Sequence, residues 1–146
     1  MLKIIFSLIL ILNGFIAQGQ TNITKTIIHD GITRDYKIYI PKIYNPNTLT
    51  PLVFNLHGYA SNNVQQEFYG DFRPIADTAN FIIVHPNGTK DPLGNQFWNV
   101  GFFPSSINDV GFIEALIDTI SLLYSVDPTR IYSTGMSNGG FMSHEL

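Results

Sequence analysis

Two β-prone runs, Ile23-Thr24-Lys25-Thr26-Ile27-Ile28-His29 and Arg34-Asp35-Tyr36-Lys37-Ile38-Tyr39-Ile40, flank Asp30-Gly31, and that dipeptide favours a type I′ turn. Residues 23–40 therefore read as a hairpin. Tyr36, Ile38 and Ile40 alternate with Lys37 and Tyr39, which suits an outer strand with one wet face. Pro51-Leu52-Val53-Phe54-Asn55-Leu56 is mostly apolar on both faces and predicts a buried strand of a parallel sheet, stopping at His57-Gly58. Residues 66–79 look helical, with Pro74 early in a turn or marking a break, and Phe81 to Val84 predicts a second buried strand. A long polar, glycine-containing loop follows over residues 86–106.

Further on, Ser106-Ile107-Asn108-Asp109 resembles a capping box opening a helix to Tyr124. Its predicted buried face is Val110, Ile113, Ile117, Ile120 and Tyr124. Val126-Asp127-Pro128 signals a turn, and Arg130-Ile131-Tyr132-Ser133-Thr134 is a short strand. Helical residues resume from Gly140 to Leu146. Strands alternating with helices predict an α/β fold, a mostly parallel sheet flanked by helices.

The N-terminus departs from this pattern. Lys3, an apolar run from Ile4 to Leu12, and Ala17-Gln18-Gly19 read as the three regions of a secretory signal peptide over residues 1–19. Residues 20–146 would then form the N-terminal part of one catalytic domain in a secreted protein, extracellular or periplasmic. The apolar run is too short for a confident membrane span, so no membrane association is expected once the signal is cleaved. The chain has no cysteine, hence neither a disulfide framework nor a lipid-attachment thiol. A formal net charge of −3 with scattered basic residues gives no footprint for nucleic acid. No His/Cys/Glu spacing suggests a metal, and no cofactor is expected.

The chemistry concentrates in Thr134-Gly135-Met136-Ser137-Asn138-Gly139-Gly140. Gly135-x-Ser137-x-Gly139, between a strand and a helix, has the form of a nucleophile elbow: a sharp turn presenting a serine hydroxyl, with glycines where a Cβ would clash. By itself this is a weak pattern; the strand before and helix after it make it specific. In α/β-hydrolases the oxyanion hole is built from the amide after the nucleophile, here Asn138, and from an amide in the loop after an earlier strand. Here that second donor is Tyr59, which follows Gly58. In that architecture the acid and then the histidine follow the serine. His57 and His85 precede Ser137 and are expected to orient loops, while His144 lies seven residues along the same predicted helix and His29 looks solvated beside a turn. Asp127 and Asp109 read as turn and helix-start residues. Trp98 has two readings, an aromatic wall for an aryl or polymer substrate or a packing anchor that pins the 86–106 loop. Asn22-Ile23-Thr24 and Asn87-Gly88-Thr89 match the glycosylation sequon.

Several segments together resemble the secreted polyhydroxybutyrate depolymerase and feruloyl esterase-like serine esterases. They are residues 51–58, Phe81-Ile82-Ile83-Val84-His85-Pro86-Asn87-Gly88, Phe97-Trp98-Asn99, Asp109-Val110-Gly111-Phe112, and 126–140, in the family's order over roughly residues 25 to 146. The resemblance implies an α/β-hydrolase with Ser137 as nucleophile and the Tyr59 and Asn138 amides as oxyanion donors. Its substrate would be an ester: polymer, plant-wall or small-molecule. It also implies a C-terminal half carrying the acid and histidine, so the chain reads as truncated just after the elbow. Two other readings stay open: a truncated non-catalytic or pseudoenzyme form, and a peptidase on the same fold. If truncated, residues 20–146 alone are expected to be poorly soluble, with esterase activity near background.

Overall fold

A computed structural model describes residues 21–102 and 104–146; the proposed signal peptide lies outside the described residues. β1 (Thr21–His29) and β2 (Ile32–Ile40) pair antiparallel around Asp30-Gly31. Both turn residues have positive φ, 49° and 75°, as a type I′ turn requires. β3 spans Thr50–Leu56. The predicted helix at 66–79 is two helices. α1 (Asn63–Tyr69) is capped by the Asn62 side chain, which accepts from the amides of Val64 and Gln65, and it ends at Gly70. α2 (Arg73–Ala79) carries Pro74 in its first turn, where a fixed φ and a missing N–H do no harm.

β4 (Ile82–Pro86) is completely buried. The predicted 86–106 loop holds a small ladder, β5 (Thr89–Lys90) with β6 (Gln96–Phe97). α3 spans Asp109–Leu123, and its N-cap is Asn108, which accepts from the Gly111 amide. The capping box predicted at Ser106 is thus displaced by the loop, because the Asp109 carboxylate is drawn away to Arg34 and the Asn99 amide. β7 (Val126–Gly135) and α4 (Asn138–Glu145) complete the order.

The main sheet runs β1-β2-β4-β3-β7. β4, β3 and β7 are parallel; β1 and β2 form an antiparallel wing. One face, with Tyr36, Ile38, Ile40, Leu52, Phe54 and Val84, packs on Phe112, Ile113, Leu116 and Ile120 of α3. Tyr39 and Ile83 on the other face meet Ala76 of α2. This corrects the expectation of a wet strand at 34–40. β2 is interior, Lys37 pairs with Glu67 of α1, and the Tyr39 hydroxyl donates to Asp77 of α2 at 2.9 Å. The face of α3 is also corrected: Phe112 and Leu116 are fully buried, whereas Val110 is exposed.

Candidate active site

Ser137 stands between the end of β7 and the start of α4, exposed, with φ 51° and ψ −115°. A side chain with a Cβ rarely adopts positive φ, and such a residue stores of order 1–3 kcal/mol that its surroundings must enforce. Two glycines show how. A Cβ on Gly139 would lie 2.3 Å from the Leu56 carbonyl oxygen and 2.6 Å from that of His57. One on Gly135 would lie 2.5 Å from the Gly139 carbonyl carbon. The start of α4 is therefore pressed against the end of β3 with no room for a methyl group. The turn is closed by the Gly139 amide donating to the Met136 carbonyl, and tied to β3 by the Met136 amide donating to Leu56. The Ser137 hydroxyl makes no capping bond to α4.

The loop after β3 reaches the same point. A Cβ on Gly58 would sit 3.6 Å from the Ser137 Cβ and 3.1 Å from the Met136 side chain. The structure thus brings together Ser137, Asn138 and the His57–Tyr59 loop, which the sequence singled out separately. The Tyr59 side chain points away, its hydroxyl donating to Asp91 at 2.6 Å.

His57 is fully buried, and both ring nitrogens are engaged. The Gly88 amide donates to Nε2 at 2.9 Å, so the proton sits on Nδ1, which donates to the Gly58 carbonyl at 2.7 Å. Burial lowers its pKa. His85 is buried beside Asn55, and burial, reinforced by Lys37 and Arg73, lowers its pKa to about 4. His144 is exposed two helical turns beyond Ser137, about 10 Å along the axis. His29 is not solvated as expected; its ring is largely covered and lies 6.2 Å from that of Phe112. Among the described residues, no histidine is placed to take a proton from Ser137.

Trp98 is 1% exposed, and its indole N–H donates to the His57 carbonyl at 2.9 Å. A ring so covered offers no wall to a substrate; the geometry is that of the packing anchor. No local pattern signals what holds it. The Asn138 side chain accepts from the Trp98 amide at 2.7 Å and donates to the Trp98 carbonyl at 3.0 Å. Also illegible was the buried pair of Arg34 and Asp109 at 2.6 Å, which fixes the 97–99 loop through the Asn99 amide. These partners lie 40 and 75 positions apart, beyond any local pattern.

No protein-family model matches the chain. It is 32% identical over 107 residues to feruloyl esterase B of Piromyces equi, covering 73% of this chain and 20% of that protein. It is 31% identical over 97 residues to poly(3-hydroxyalkanoate) depolymerase C of Paucimonas lemoignei, covering 64% and 23%. A solved ferulic acid esterase superposes with a TM-score of 0.67 at 22% identity, covering 84% of this chain and 52% of that one. The fold is that of the α/β-hydrolases. Within it, the chain resembles feruloyl esterases and polyhydroxyalkanoate depolymerases, and it spans less than half the length of these curated relatives. In this fold β7 leads into the Gly135–Gly139 turn and β3 into the His57–Tyr59 loop.

Proposed function

We propose that the protein is a secreted carboxylic-ester hydrolase in which Ser137 is the nucleophile. The observation that carries this is the Ser137 backbone, held at positive φ between a strand and a helix by two glycines that admit no Cβ. Ser137 Oγ attacks the ester carbonyl carbon and gives its proton to a general base, which passes it to the alcohol oxygen as the C–O bond breaks. The oxygen that becomes negative is held by the amides of Asn138 and Tyr59, after which the alcohol leaves and water releases the acid. Esters of the classes in the relatives' names, feruloyl and poly(3-hydroxyalkanoate), are the proposed substrates. The general base and its carboxylate partner are not among the residues gathered around Ser137. Secretion rests on the composition of residues 1–19.

The test is covalent. A fluorophosphonate should label Ser137, and Ser137→Ala should abolish both labelling and ester hydrolysis while the far-ultraviolet circular dichroism stays unchanged. Label retained at another serine in that variant would overturn the assignment.

A further inference from the structure

The two amides assigned to the oxyanion hole come from distant chain segments, one after β3 and one at the start of α4. Trp98 touches both. Its peptide is gripped from two sides by the Asn138 side chain, at 2.7 and 3.0 Å. Its indole N–H holds the His57 carbonyl at 2.9 Å, and its ring lies 5.0 Å from the His57 imidazole. That imidazole in turn donates to the Gly58 carbonyl. A trans peptide puts its C=O and N–H on opposite sides, so fixing the carbonyls of His57 and Gly58 fixes where the amides of Gly58 and Tyr59 point. His57, Trp98 and Asn138 are 0%, 1% and 6% exposed, so water does not compete for these bonds.

Resting on the reading of Ser137 as nucleophile, we propose that Trp98 is a positioning residue that sets the spacing between the two oxyanion donors. Asn138 then serves twice, its amide toward the substrate and its side chain as the strut that holds Trp98. A mere anchor would contribute stability alone. A spacer between donors contributes to rate, because the oxyanion develops only on the way to the tetrahedral intermediate.

Trp98→Phe keeps most of the ring and removes the indole N–H. In the full-length protein, with p-nitrophenyl acetate, kcat should fall about 10²-fold, the cost of a donor misplaced by roughly 1 Å, with KM changed less than about twofold. The folded fraction at the assay temperature should be unchanged. Amide hydrogen exchange at Gly58 and Tyr59 should accelerate while β3 and β4 keep their protection; this readout needs no turnover. Asn138→Ala, which retains the amide, should act alike, and the double variant should add little. Should Trp98→Phe fail to fold, Asn138→Ala carries the same measurements. Unchanged exchange at residues 58–59 overturns the proposal, as does a kcat that is retained or that falls only with the folded fraction. Failure of the underlying reading shows separately, as hydrolysis surviving in Ser137→Ala.

Discussion

The elbow is set by what is missing at Gly135 and Gly139. A methyl on Gly139 would meet two main-chain carbonyl oxygens, at 2.3 and 2.6 Å, and neither belongs to a side chain that could swing away. Either β3 or α4 would have to move, and Ser137 would lose its strained conformation. Gly139→Ala should therefore destabilise the protein by about 3 kcal/mol in urea unfolding and remove phosphonate labelling. Gly94 is the control: nothing lies within 4 Å of its Cβ position, although its φ of 88° makes alanine strained there. Gly94→Ala should cost stability but leave labelling intact. Equal loss of labelling in both variants would show that general strain, rather than the elbow contact, decides reactivity.

Between elements, two buried polar groups set stability. The Arg34 guanidinium on β2 donates to Asp109 at the start of α3 and to the Asn87 carbonyl, and its carbon lies 3.9 Å from the centre of the Phe112 ring. The two side chains of this ion pair are 3% and 0% exposed. Removing one partner leaves a buried charge, so Asp109→Ala should cost about 3–5 kcal/mol, while replacing both with apolar residues of similar volume should cost far less. Chemical denaturation of the single and double variants checks this; an Asp109→Ala loss below about 1 kcal/mol would contradict it. His85 gives a pH dependence. Its folded pKa of about 4 lies below the ordinary 6.5, so the unfolded chain binds the proton more readily between those values. The stability contribution is present in full above pH 6.5 and is lost as pH falls toward 4. The loss should reach about 3 kcal/mol, and His85→Gln should remove that part of the acid sensitivity. Parallel pH profiles for wild type and variant would refute it.

At the scale of the whole molecule, β7 is the outer strand of the sheet among the described residues. Tyr132 on it is 54% exposed, and a groove between β7 and α3 is lined by Ile113, Ile117, Ile131 and Tyr132. A long strand edge with apolar flanks is a template for pairing with another chain. The polypeptide of 146 residues should therefore self-associate with rising concentration, and Tyr132→Lys should shift it toward monomer. Size exclusion with light scattering measures this. A wild-type chain that stays monomeric at high concentration would show the edge to be harmless.

Much of this architecture was legible from local rules. Asp30-Gly31 specifies its turn because both residues tolerate positive φ, and the runs at 51–56 and 81–84 specify buried strands because apolar residues dominate both faces, Asn55 being the one polar residue in them. The elbow was legible because its glycines answer to sterics within one turn of chain. The outlook of β2, the cap of α3 and the partners of Trp98 were not. Lys37, Tyr39 and Asp109 look like surface residues in one dimension, and they are covered because Glu67, Asp77 and Arg34 arrive from elsewhere to satisfy them. Local pattern located most of the strands and helices and the glycine-bounded turn at Ser137, but it read 126–128 as a turn where β7 runs and 66–79 as one helix where there are two. Long-range packing settled which polar groups are buried and what holds the His57–Tyr59 loop against the turn at Ser137. Those bonds join residues distant in the chain, and they form once packing has excluded water from between them.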